Sequence, residues 1–272
     1  MSMNKKYLYT ILSIFIIIIF GISVVSVNTE YLEEKTVETS STIDNKKFEW
    51  GIKREKNHIQ PDVGAKNKEI MNKYNGIYMG NREKPYVYLS FDEGYEAGYT
   101  NQILDTLKEN NVSATFFITA HYLNTASDLV ERMLAEGHIV GNHTVNHKSM
   151  PSLSDEQVKS EVLKLHQTVY EKFAYEMKYI RPPMGEFSER TLTLTNSIGY
   201  KTVMWSLAYD DWDENNQGRE EYATAKILDN IHNGAIILLH ANSKDNANIL
   251  GNIIKQVRNM GYEFRSLDEF VN

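Results

Sequence analysis

Apolar positions fall into one long unbroken run and a series of short blocks. The long run extends from about Tyr7 to Val27, includes Ile16-Ile17-Ile18-Ile19-Phe20, and contains no charge. As a helix it would span about 31 Å, the depth of a bilayer core, with no polar face to turn toward water. A cleaved signal peptide would have a shorter apolar core ending in small residues, and Val25-Ser26-Val27 is a poor version of that ending. The pattern therefore predicts an uncleaved transmembrane anchor. Lys5 and Lys6 precede it, and Glu30, Glu33 and Glu34 follow it. That asymmetry places the N-terminus in the cytoplasm and the rest of the chain outside. Residues 28–49 are rich in Thr, Ser, Glu, Lys and Asn and read as a tether. Trp50 is the first large residue beyond it expected to be packed. The chain thus divides into a start and anchor (1–27), a tether (28–49) and a domain (50–272).

Within the domain, short apolar blocks predict strands over 86–91, 114–119, 138–141, 179–181, 200–207, 235–240 and 262–265. Stretches of helical spacing between them predict helices near 99–110, 127–136, 155–173, 188–198, 222–233 and 246–260. Ser154 followed by Gln157 is a capping box, and Val158, Val162, Leu165 and Val169 keep one face of the helix behind it apolar. Four helices give way at a glycine to an apolar run: at Gly137, Gly199, Gly234 and Gly261. Such alternation makes an α/β fold with a mainly parallel sheet. Seven strands with six intervening helices suit a distorted (β/α) barrel; an open doubly wound sheet is the alternative, and periodicity does not separate the two.

Composition removes whole classes of function. The 272 residues contain no cysteine, which excludes disulfide scaffolds, thiolate metal sites and cysteine nucleophiles. Lys plus Arg number 29 against 36 Asp plus Glu, a net charge of −7, so the basic footprint of a nucleic-acid binder is missing. Without Lys5 and Lys6 the part beyond the anchor carries −9.

The polar clusters fall after predicted strands. Asp92 and Glu93 follow the first, His143 and His147 the third, Arg181 ends the fourth, Asp210-Asp211-Trp212 follow the fifth, and His240 ends the sixth. In parallel α/β folds the carboxyl ends of the strands share one face, which carries the active site, so these residues are expected to converge. Two imidazoles four apart, joined by a carboxylate, suit Zn²⁺ or another divalent metal. If one of the adjacent acids Asp92 and Glu93 binds the ion, the other can act as a base on water. Arg181, stiffened by Pro182 and Pro183, could hold a carboxylate in place. Asp211 would favour the protonated form of His240, fitting it to give a proton to a leaving amine.

Taken together, Ser90-Phe91-Asp92-Glu93, His143-Thr144-Val145-Asn146-His147, Arg181-Pro182-Pro183-Met184-Gly185, Asp211-Trp212 and Leu238-Leu239-His240 resemble the five ordered motifs of the polysaccharide deacetylases, also called carbohydrate esterase family 4 or the NodB-homology group, over about residues 84–271. The stretches Phe91–Glu96, Arg181–Ser188 and His240–Ala247, and Trp50-Gly51-Ile52-Lys53 through Pro61, are similar to the peptidoglycan N-acetylmuramic acid deacetylases of spore formers, which make muramic δ-lactam in the cortex. The resemblance implies a distorted (β/α) barrel and metal-dependent hydrolysis of an acetamide on a peptidoglycan glycan strand. It implies Asp92 as general base, Arg181 as its orienter, Glu93, His143 and His147 as metal ligands, and the Met184 N–H as an oxyanion donor. Asp211 would tune His240 as general acid, and Trp212 and Leu238 would line the acetyl pocket. Glu93 stands where the family pattern has a second Asp, and its extra methylene moves the oxygen. A muramoyl amidase is the implied functional partner, since lactam closure needs the stem peptide removed. Deacetylation of N-acetylglucosamine or of O-acetyl groups, and non-catalytic glycan binding, are the competing expectations.

Overall fold

The computed structural model describes residues 43–270. The expected anchor over 7–27 and the tether as far as 42 lie outside the described residues. Among the described residues no helix is long and apolar enough to cross a membrane.

In chain order the elements are β1 (Phe48–Glu49), α1 (Ala65–Lys73), β2 (Tyr86–Glu93), α2 (Thr100–Glu109), β3 (Ala114–Ile118), α3 (Ala120–Thr125), α4 (Ser127–Ala135), β4 (Ile139–Asn142), α5 (Asp155–Phe173), β5 (Tyr179–Ile180), β6 (Glu186–Phe187), α6 (Glu189–Ser197), β7 (Lys201–Thr202), α7 (Glu220–Leu228), β8 (Ala235–His240), α8 (Lys244–Asn259) and β9 (Glu263–Phe264). The main sheet runs β7-β5-β4-β3-β2-β8, with β9 also paired to β2, and every pairing in it is parallel. The chain leaving β7 crosses to the other edge, where Leu207 bridges Ile237 of β8. The sheet is therefore a curled half-barrel with helices around it, nearer to the barrel than to the open sheet. The strand expected over 200–207 is regular only at Lys201–Thr202, because the segment must leave one edge to reach the other.

Strand pleating sorts side chains between two cores. In β2, Val87, Leu89 and Phe91 pack with the helices, as do Ala235, Ile237 and Leu239 in β8. Tyr88 and Ile236 point the other way, into the curl, where they meet Phe117, Ile139, Tyr179 and Val203. Both faces are thus buried, as in parallel sheets generally, which is why the strands read as continuous apolar runs. Helix α5 starts where the capping box predicts. The Ser154 side chain accepts from the Gln157 N–H and the Gln157 side chain accepts from the Ser154 N–H.

The last residues assigned to the tether, 44–49, are fastened to the domain. The Arg190 N–H donates to the Asp44 carbonyl, Asn45 donates to the Pro151 carbonyl, and β1 pairs antiparallel with β6. The composition of this stretch reads as linker because its apolar residues are few, but these hydrogen bonds and the stacking of Phe48 on Phe187 hold it.

Candidate active site

The base and the acid expected from sequence are neighbours in the sheet. Asp92 of β2 and His240 of β8 are register partners, and the pleat turns both into the curl. They line a cavity of about 530 Å³, together with His143, His147, Met184, Trp212 and Leu238. Of the remaining expected residues, Arg181 and Asp211 stand behind this wall and Glu93 lies outside it.

Arg181 is fully buried, and its guanidinium is spread over the floor of the site. Nη1 donates to Asp92 Oδ1 at 2.8 Å, Nη2 to the Ser90 hydroxyl at 2.9 Å, and Nε to the Val203 carbonyl at 3.2 Å. The plane lies 4.2 Å from the Phe117 ring centre. Burial pushes the Asp92 carboxyl up, but Arg181, with His143 and His240 adding to it, outweighs that and holds it below the ordinary carboxylate range. Asp92 is therefore an anion ready to accept a proton.

Asp211 does the reverse for His240. Its Oδ1 lies 2.8 Å from His240 Nδ1, and its Oδ2 accepts from the His240 backbone N–H at 2.8 Å and from Asn246 Nδ2 at 2.6 Å. Burial pulls the imidazole down, yet the Asp211 carboxylate more than compensates, so the His240 pKa is raised. With Nδ1 engaged, Nε2 is the nitrogen left for the cavity. The sheet thus places a deprotonated carboxylate beside an imidazole that favours its proton.

The imidazole pair sits on the tight loop after β4. His143 Nδ1 is 2.8 Å from the Arg181 carbonyl, which can only accept, so the proton is on Nδ1 and the Nε2 lone pair is exposed. Burial drives the His143 pKa down to about 4, keeping the ring neutral. His143 Nε2 and His147 Nε2 are 3.1 Å apart, the separation of two nitrogens sharing one divalent ion at about 2.1 Å each. The loop needs left-handed backbone at Thr144 (φ 68°) and His147 (φ 53°), a strained choice for non-glycine residues. It is held by Asn142 Oδ1, which accepts from the Thr144 N–H at 2.9 Å, and by the buried Glu161 of α5. The Glu161 carboxylate accepts from the Asn146 N–H at 2.7 Å and from Asn146 Nδ2 at 2.6 Å.

Glu93 corrects the sequence expectation. The strand expected to stop at 91 continues through 93, so Asp92 and Glu93 fall on opposite faces. Glu93 points with Phe91 toward the helices, 1% exposed, and neither carboxylate oxygen has a hydrogen-bond partner. Burial, reinforced by Glu96 and Asp92, raises its pKa well above the ordinary value. It is not aimed at the imidazole pair. Among the described residues no three His, Cys, Asp or Glu side chains are grouped to hold an ion. The residues present fit a divalent cation through two imidazoles, with Asp92 Oδ2 3.5 Å from His143 Nε2.

Met184 is 54% exposed and Trp212 62% exposed, unusual for large apolar side chains, and both border the cavity; Leu238 lies buried in its wall. Met184 has φ 58° in the turn Pro183–Gly185. Sequence reasoning assigned no role to Ser90, Glu161 or Asn246. The pleat offered a signal for Ser90, two residues before Asp92 on the same face. Glu161 had none, being one polar residue within a helical pattern.

A curled parallel sheet that gathers a carboxylate, an imidazole that favours its proton and two further imidazoles at its strand ends suits a hydrolase. The chain belongs to the polysaccharide deacetylase family, whose model matches residues 79–203. It is 40% identical over 233 residues to the peptidoglycan-N-acetylmuramic acid deacetylase PdaA of Bacillus subtilis, covering 85% of this chain and 89% of that protein. The solved PdaA structure superposes with a TM-score of 0.82, covering 84% of this chain and 98% of that one. A family 4 carbohydrate esterase from Bacillus anthracis is 42% identical over the same shares, with a TM-score of 0.72.

Proposed function

We propose that the protein removes the acetyl group from N-acetylmuramic acid in peptidoglycan, in a pathway that ends in muramic δ-lactam of the spore cortex. We propose further that it works outside the cytoplasm, anchored through residues 7–27 and following a muramoyl amidase. The observation that carries the chemistry is the register pairing of Asp92 with His240, each held in the protonation state its role needs. The similarity to PdaA supports the muramic substrate.

In this reading the acetamide enters the cavity between Met184 and Trp212, with its methyl toward Leu238. Asp92 takes a proton from the attacking water, and Arg181 spreads the negative charge that Asp92 carries beforehand. The Met184 N–H donates to the carbonyl oxygen as it becomes negative. His240 Nε2 gives its proton to the departing amine, and Asp211 stabilises the imidazolium until then. A divalent cation, Zn²⁺ by the donor set, would be held by His143 and His147 and would supply positive charge beside the acetyl oxygen.

The test is acetate release by the full-length chain from peptide-stripped glycan strands, with lactam measured in the product. Asp92→Asn is expected to lower kcat by about 10³-fold or more, removing the base. Chelator and His143→Ala are expected to abolish both activity and metal binding, while Glu93→Gln leaves metal stoichiometry unchanged. Glucosamine without lactam would replace the muramic reading with N-acetylglucosamine deacetylation, and a fully active Asp92→Asn would end the mechanism.

A further inference from the structure

The region matched by the family model begins at residue 79, yet part of the cavity wall is held from before it. Of the hydrogen bonds that leave the stretch Trp50–Arg54, three end on the carbonyls of cavity-lining residues. The Trp50 N–H donates to Gly185 O at 2.9 Å, the Trp50 indole N–H to Trp205 O at 2.8 Å, and Arg54 Nη2 to Ala208 O at 2.7 Å. Trp50 is itself buried, its ring against Tyr78 and Phe187 with centres 5.4 and 6.4 Å away.

The carbonyls it grips belong to backbone that is otherwise hard to hold. Met184 (φ 58°) and Gly185 (φ 68°) are consecutive left-handed residues. A Cβ at Gly185 would lie 2.8 Å from the Trp205 ring and 3.1 Å from Trp50 Cβ, so the turn, Trp205 and Trp50 are packed with no slack. Trp205 also carries the Arg181 guanidinium 5.8 Å from its ring centre. One side chain therefore touches both the turn that presents Met184 and the support under Arg181, the partner of Asp92.

We infer that Trp50 is a positioning residue of the active site: it fixes the Pro183–Gly185 turn and the Trp205 backbone so that the Met184 N–H and the Arg181–Asp92 pair keep their relative places. Arg54 does the same for Ala208. The inference rests on the deacetylase reading for its kinetic consequence and on geometry alone for its structural one, and the experiment separates the two.

Trp50→Phe keeps an aromatic ring in the packing but trims it to one ring and deletes the indole donor, so the Trp205 carbonyl loses its bond from Trp50. In the full-length chain it is expected to lower kcat for acetate release about tenfold with KM within about twofold, as displacement of groups that act in the transition state requires. Amide hydrogen exchange is expected to speed up in 184–187 and 204–209 and to stay unchanged in 114–118. Arg54→Met, a change at an exposed side chain, is expected to give a smaller loss in the same direction with faster exchange confined to 207–209, and it decides the matter if Trp50→Phe does not fold. Unchanged kcat with unchanged exchange overturns the inference. So does a loss accompanied by equal loosening of 114–118, which would make Trp50 a stability residue only. If the unaltered chain releases no acetate, the deacetylase reading fails, while the exchange pattern still decides whether Trp50 fixes the turn.

Discussion

Asp92 and His240 lie side by side in the sheet, yet their environments push them toward opposite charges. The difference comes from what stands behind each: a buried guanidinium for the carboxylate, a buried carboxylate for the imidazole. Neither partner touches the cavity, so each can be altered without removing the reacting group. Asp211→Asn leaves the burial of His240 in place and removes the group that opposes it. The imidazole then loses its proton at lower pH. In the proposed mechanism the alkaline limb of kcat/KM is expected to move to lower pH while the acid limb stays in place; a pH–rate profile of the two proteins checks this.

At the scale of elements, the loop between β4 and α5 carries the imidazole pair, and Glu161 ties it down from a helix that does not line the cavity. Glu161→Gln keeps the shape but replaces one of the two carboxylate acceptors for Asn146 with an amide nitrogen that can only donate. It is expected to loosen divalent-metal affinity by about tenfold, the range seen when supports of metal ligands are altered, with helix content unchanged; calorimetric titration of the metal and circular dichroism measure the two. The elements themselves were largely legible. The capping box and the apolar stripe gave α5 its observed ends, and β8 matches its expected range because an apolar run bounded by Gly234 and His240 leaves no other solution. Where the reading failed, long-range geometry decided. The short helix Ala120–Thr125 has too few residues to show a period and depends on the Thr119 side chain capping Tyr122 N–H. Two extra residues on β2 turned Glu93 away from the role its neighbourhood suggested. The grip of Trp50 on Gly185 and Trp205 was hidden because its partners are backbone carbonyls more than 130 residues further on, and a carbonyl leaves no mark in a sequence.

Across the whole molecule, several histidines are buried neutral. Burial takes His138 and His232 down to about 4, with His138 packed beneath Phe116 and His232 bonded to Ser206. Their folded pKa values lie below the unfolded value of about 6.5, so the unfolded chain binds more protons between the two. The stability they protect is fully present above about pH 6.5 and falls away as pH drops toward 4. Urea unfolding is expected to show a loss on the order of 2 kcal/mol per histidine between pH 7 and 5, and His138→Phe is expected to remove one share of it. The sheet itself has a temporal consequence. Its first long strand, β2, pairs with β9, through Tyr86 with Glu263 and Val87 with Phe264, and Asn246 near the start of α8 holds the Asp211–His240 pair. Contacts this far apart in the chain close slowly and only after the ribosome has delivered almost all of it. Until the last segment emerges the polypeptide has no finished sheet to collapse onto.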